Sequence, residues 1–115
     1  WLYVEDHIEA ILTVLKYGKI GQSYNIGGNN QIKNIDLVKQ ICSLMDAKTK
    51  NKSKNLESSF SLIKFVQDRA GHDVKYAINA EKIKTDLGWS PNETFSTGIE
   101  KTIDWYLDNK SFLQL

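Results

Sequence analysis

The stretch that decides the fold reads Ser23-Tyr24-Asn25-Ile26-Gly27-Gly28-Asn29-Asn30-Gln31-Ile32-Lys33-Asn34-Ile35-Asp36-Leu37-Val38 and runs on to Met45. Ser23 to Ile26 has the composition of a short β-strand and stops at a glycine pair. Asn29 and Asn30 continue the loop. Ile35, Val38, Ile41 and Met45 then recur at helical spacing, and Asn34 stands where a helix N-cap belongs. A strand, a glycine turn and an amphipathic helix in succession predict a chain that alternates β and α.

Toward the N-terminus, Trp1 to Val4 is aromatic and β-branched, which predicts the end of a strand. Ile8, Ile11, Leu12 and Leu15 predict one face of a helix that Gly18 stops. Asp6 and Glu9 have the spacing of a capping box, with Asp in place of Ser or Thr. Toward the C-terminus, Asp46 to Ser59 is polar, lysine-rich and aperiodic, and reads as a surface loop. Lys64 to Gln67 predicts a strand, Asp68 to Asp73 a polar turn, and Val74 to Ile78 a further extended piece. Asn79 is placed to cap a short helix with Ile83 and Leu87 inward and Gly88 as its stop. Phe95, Ile99, Ile103 and Tyr106 predict a last helix. The sum favours an α/β or α+β domain, with α/β the class expected.

Composition narrows the function. The chain has 115 residues, 41% of them hydrophobic and 25% charged, which fits one soluble globular domain with a modest core. Fifteen basic side chains face 14 acidic ones, for a net charge of +1, so the balance of a basic nucleic-acid module is missing. Lys48, Lys50, Lys52 and Lys54 form a local basic run, but no aromatic residue interleaves them as a stacking platform needs. No apolar run is long enough to span a bilayer. The single cysteine, Cys42, excludes an internal disulfide and fits a reducing compartment. Beginning at Trp1, the chain reads as a piece of something longer. Arg69 is the only arginine beside fourteen lysines.

Most constellations have ordinary readings. Gly18-Lys19-Ile20-Gly21 is half of a dinucleotide fingerprint, but Tyr24 takes the third glycine's place and a helix, not a strand, precedes it. Tyr106 and Lys110 have the spacing of a dehydrogenase acid/base pair, yet read as a core-facing tyrosine and a solvated lysine near a fraying end. Glu5, Asp6, His7 and Glu9 resemble metal ligands in type but not in spacing. His72 with Asp73 lacks a nucleophile in sequence. Asn34 is an N-cap, a ligand-facing amide, or both. The turn from Asp68 to Asp73 gathers Arg69, His72, two aspartates and Gly71. Arg69 and His72 can donate to phosphate oxygens, and Gly71 lets backbone approach. The competing reading is a solvated turn with a surface ion pair.

Trp1-Leu2-Tyr3-Val4-Glu5-Asp6-His7, Tyr24-Asn25-Ile26-Gly27-Gly28, Asp68-Arg69-Ala70-Gly71-His72-Asp73, Tyr76-Ala77-Ile78, Leu87-Gly88-Trp89, and Gly98-Ile99 through Trp105-Tyr106-Leu107 occur in one order. Together they resemble the C-terminal part of the dTDP-glucose 4,6-dehydratases, extended short-chain dehydrogenases/reductases of the NAD-dependent epimerase/dehydratase family. The resemblance implies that residues 1–115 are the C-terminal nucleotide-sugar-binding portion of such an enzyme, without its Rossmann cofactor half. It implies NAD bound by that N-terminal half and none by this chain. It implies a dTDP-sugar substrate, a cytoplasmic homodimer, and a dTDP-4-dehydro-6-deoxyglucose product for deoxysugar synthesis of the rhamnose type. Neither nucleic acid nor membrane is a partner.

Residue by residue, Asn34 matches the asparagine that contacts the nucleotide. Asp68, Arg69, Gly71 and His72 match the loop that grips the diphosphate region. Two departures stand out: Ala70 replaces the family's usual Pro, and 46–59 matches poorly. No catalytic residue carries over, so the chain alone is expected to be inactive. Trp1, Tyr3 and one face of the first helix are expected to lie exposed, because in the family they pack partly against the larger domain. A related nucleotide-sugar epimerase or decarboxylase is one alternative. A truncated, non-catalytic module that binds a nucleotide or a protein is another.

Overall fold

The computed structural model describes residues 1–49, 57–72 and 77–113. Four α-helices are formed there: α1 (Val4–Tyr17), α2 (Asn34–Lys48), α3 (Glu81–Leu87) and α4 (Phe95–Asp108). Short 3₁₀ turns cover Ser59–Leu62 and Lys110–Leu113. Among the described residues there is no β-strand, which corrects the α/β expectation at this level. Val4 opens α1 instead of closing a strand. Ser23 to Ile26 and Lys64 to Gln67 form no ladder, because no described segment supplies the hydrogen bonds that make an extended chain a strand. Of Val74 to Ile78, only Ala77 and Ile78 are described, and neither has regular structure.

The chain divides into two compact units. The first comprises Trp1–Gln31 and Tyr76–Thr102. Its core is Ala10, Ala80, Ile83 and Trp89, with Leu2, Val14, Tyr24, Ile26 and Leu87 packed around it. Asn79 Oδ1 accepts from Glu81 N at 2.8 Å at the start of α3. Gly88 ends that helix in the left-handed region, φ 70°, and its N–H returns to the Lys84 carbonyl. The Gly88 stop matches the sequence reading of α3, whereas the capping residue is Ala80 and Asn79 stands one position before it.

Helix α1 leaves its apolar face exposed, in line with the expectation that one face of this helix is uncovered. Ala10 is fully buried and Asp6 is 3% exposed, whereas Ile8, Ile11, Leu12 and Leu15 are all about half exposed or more. The small Ala10 lets α3 approach, so the inward face is chosen by fit and not by apolar content. Asp6 and Glu9 form no capping box, and α1 has no side-chain cap. The Asp6 carboxylate instead accepts from the backbone N–H groups of Asn92 (3.0 Å) and Glu93 (3.1 Å). Glu9 accepts from the Asn92 amide at 2.8 Å. The start of α4 carries its own reciprocal cap: Thr94 Oγ1 accepts from Thr97 N, and Thr97 Oγ1 from Thr94 N. A Cβ on Gly98 would stand 3.0 Å from Tyr3 Cβ, so glycine lets α4 lie against Tyr3. Trp1 is exposed, as expected, and Tyr3 is part-buried.

The second unit comprises Ile32–Lys75 and Ile103–Leu115. Its buried apolar residues are Leu37, Cys42 and Ile103. Helix α2 runs one turn past Met45, so Asp46 to Lys48 are helical and not loop. The Asp46 carboxylate ties the 3₁₀ turn back to α2, accepting from Ser58 Oγ (2.7 Å) and Ser59 N (2.9 Å). Hydrogen bonding by the Ser59 side chain first, then by Ser58 and the Ser59 backbone, holds its pKa below the usual carboxylate value. Lys48 pairs with Asp104 at 2.8 Å. Tyr106 is exposed and not core-facing, edge-on to Trp105.

Candidate nucleotide-binding site

Asp68, Arg69, Gly71 and His72 fall on one tight turn of the second unit. His72 N–H donates to the Arg69 carbonyl at 3.4 Å, closing four residues. Gly71, third in that turn, has φ 72°, the positive value a type II turn requires there. Open space surrounds the position a Cβ would take, so the constraint is backbone conformation alone. Ala70 holds the second position, which proline suits best.

Asp68 organises the turn. Its Oδ1 lies 2.7 Å from His72 Nδ1 and accepts from Arg69 N–H at 2.8 Å. The His72 bond first, and the Arg69 N–H second, hold the carboxyl below its ordinary pKa. An ionised carboxylate only accepts, so Nδ1 carries the hydrogen in this contact. With Asp68 engaged by His72 and by backbone, the Arg69 guanidinium makes no hydrogen bond or ion pair to any described residue. It projects from an exposed turn as a five-donor fork. The arrangement suits a phosphate or carboxylate ligand.

Asn34 is placed differently from its N-cap reading. Lys33 is the capping residue of α2, with extended dihedrals, and Asn34 is the first helical residue. The Lys33 carbonyl accepts from Asp36 and Leu37 N–H, and no side chain caps the helix. The Asn34 side chain is exposed and makes no hydrogen bond to a described residue, nor does one join it to the 68–72 turn. Asp73 and Lys50, Lys52 and Lys54 lie outside the described residues.

Sequence reasoning missed Asp6 as a long-range acceptor, because a local capping pattern explained the same two residues. It also missed Lys82, which donates to Gln22 Oε1 and the Ser23 carbonyl and lies over the Tyr24 ring. Gly18 and Gly21 follow the end of α1 and do not form a strand-to-helix turn, so they offer no dinucleotide cradle. Among the described residues, no three His, Cys, Asp or Glu side chains gather as metal ligands. No described helix is long and apolar enough to cross a membrane.

Residues 1–102 match the family model described as GDP-mannose 4,6 dehydratase. A dTDP-glucose 4,6-dehydratase of Escherichia coli is 55% identical over 99% of this chain and 32% of its own length. One from Neisseria meningitidis is 51% identical over the same shares. Solved structures agree. A dTDP-glucose 4,6-dehydratase from Bacillus anthracis in complex with NAD gives a TM-score of 0.77 at 43% identity, over 96% of this chain and 32% of that one. DesIV of Streptomyces venezuelae, with NAD and TYD bound, gives 0.78 at 31% identity, over 97% and 31%. The chain thus spans about a third of the length of the relatives it matches.

Proposed function

This chain belongs to the GDP-mannose 4,6 dehydratase family, and on that footing we propose that it is the nucleotide-sugar-binding portion of a dTDP-glucose 4,6-dehydratase. In this reading residues 1–115 form the C-terminal, substrate-holding part of an α/β extended short-chain dehydrogenase/reductase. The rest of the enzyme carries the NAD site, the catalytic residues and the strands that complete the sheet. The whole enzyme eliminates water from dTDP-glucose and yields dTDP-4-dehydro-6-deoxyglucose. It works in the cytoplasm as a homodimer. NAD supplies the hydride chemistry there, and no residue of this chain takes part in that step.

The observation that carries the reading is the 68–72 turn. Its carboxylate is spent on His72 and on backbone, which leaves Arg69 without a described partner. Arg69 would clasp the diphosphate through two parallel N–H bonds, and His72 would donate beside it. Asn34 would offer its unbonded amide to the nucleotide.

Calorimetric titration with dTDP, UDP and GDP tests this. The expected result is preference for dTDP, and an Arg69→Ala variant weakened by about 1.5–3 kcal/mol, the worth of a hydrogen bond to a charged group. Unchanged affinity in that variant would overturn the assignment of Arg69. Preference for UDP or GDP would favour a related epimerase or decarboxylase.

A further inference from the structure

Helix α2 ends in a clamp. The Asp46 carboxylate reaches across twelve positions to accept from Ser58 Oγ (2.7 Å), and across thirteen to accept from Ser59 N (2.9 Å). The helix that carries it is itself held. Leu37 and Cys42 are buried, and Lys48 pairs with Asp104 at 2.8 Å. Asp46 is therefore a fixed point of the second unit.

Ser58 passes that hold to the next segment. Its Oγ accepts from Phe60 N at 3.3 Å, which caps the 3₁₀ turn Ser59–Leu62. Its carbonyl accepts from Ser61 N (3.1 Å) and from Ser61 Oγ (2.7 Å). Ile63 N then closes the turn on the Phe60 carbonyl. Beyond that point support stops. Lys64 to Gln67 make no hydrogen bond to a described residue, and Phe65 and Val66 are each 86% exposed. The next hydrogen bonds along the chain are those of Asp68 inside the 68–72 turn. Ile63 to Arg69 is at most about 20 Å of chain. On this side the guanidinium hangs from a short arm, and the root of that arm is the Asp46 clamp.

A loop that must be ordered on binding loses affinity, and one held beforehand keeps it. We propose that Asp46 is a positioning residue for the 68–72 turn: through Ser58 and Ser59 its carboxylate fixes the root of the arm and narrows the volume that Arg69 samples. Asp46 touches no ligand in this account and acts through the chain alone. That the turn receives a nucleotide diphosphate rests on the proposed function, whereas the clamp does not.

The test compares Asp46→Ala with Asp46→Asn in the ¹⁵N-labelled chain. An asparagine amide can accept from Ser59 N–H and donate to Ser58 Oγ, so it keeps the clamp that alanine removes. Without ligand, the heteronuclear NOE of the Ser61, Ile63 and Arg69 amides should fall in Asp46→Ala and return in Asp46→Asn. The α1 and α3 amides should stay unmoved in both, which separates loss of the clamp from a general loosening. In calorimetry, Asp46→Ala should bind dTDP about five-fold more weakly than the unsubstituted chain, and Asp46→Asn within about two-fold of it. Ser58→Ala keeps the Ser59 bond and should fall between the two; it carries the test if Asp46→Ala does not fold. Unchanged Arg69 amide order or unchanged dTDP affinity on loss of the clamp overturns the proposal. So does an Asp46→Asn variant that behaves like Asp46→Ala. If the unsubstituted chain ignores dTDP while the amide changes persist, the proposed function falls and the clamp stands.

Discussion

His72 Nδ1 lies 2.7 Å from Asp68 Oδ1, four residues back along an exposed turn. Asp68 has its pKa lowered in the folded chain, so it binds protons less readily there than when unfolded. The contribution of this contact is therefore present above the ordinary aspartate pKa. It disappears as pH falls through the lowered, folded value. Carboxyl carbon shifts of Asp68 should titrate below those of a solvated aspartate. His72→Ala should move that midpoint upward. An unmoved midpoint would remove His72 as the principal cause.

Asp6 joins α1 to the Asn92 and Glu93 backbone. Asp6→Ala leaves two backbone N–H groups without their acceptor in a part-buried place. About 1–3 kcal/mol of stability should go, read by urea denaturation. An effect within 0.5 kcal/mol, the ordinary range for surface substitutions, would contradict this account.

The exposed stripe of α1 and the buried α3 residue packed under the helix should differ sharply in what a substitution costs. Ile11→Lys and Leu12→Lys fall on exposed positions and should change stability within about 0.5 kcal/mol. Ile83→Ala removes a fully buried side chain from the α3 face beneath α1 and should cost about 2–5 kcal/mol. Comparable losses from both would show that the apolar stripe is covered in solution.

Ala70→Pro is a gain-of-order test. Ala70 sits second in the Arg69–His72 turn, and its N–H makes no hydrogen bond to a described residue. Proline there should stabilise by about 0.4–1 kcal/mol through the unfolded chain. It should also tighten dTDP binding in calorimetry. A destabilised variant would mean that the backbone at 70 departs from proline's φ.

Gly88→Ala probes a helix end by backbone alone. With φ 70° and nothing near the missing Cβ, the cost is conformational. About 1–2 kcal/mol is expected in thermal melts.

The existence of all four helices was legible, because 3.6-residue periodicity is local information. Gly88 was legible for the same reason. The buried face of α1 was not: periodicity marks Ile8, Ile11, Leu12 and Leu15 as one stripe, but only tertiary fit decides whether anything covers it. The strands failed likewise, since a ladder needs a second segment and sequence shows only the first. Asp6 was read locally although its partners lie 86 and 87 positions away. The 68–72 turn was legible by residue type, Gly71 included. The division of labour inside it, with Asp68 occupied by His72 and Arg69 left over, required coordinates.

The separation between Asp6 and its partners also sets a schedule. The first unit is assembled from two distant stretches of chain, so it cannot close until residues 92 and 93 exist. At about 5–20 residues per second, synthesis of the intervening stretch takes on the order of 4–17 s. Throughout that interval the inner face of α1 lacks its Asn92 and Glu93 partners. Loop closure adds its own entropic cost, growing as the logarithm of the span. The nascent chain is most open to aggregation and to chaperone capture between the end of α1 and the arrival of Glu93.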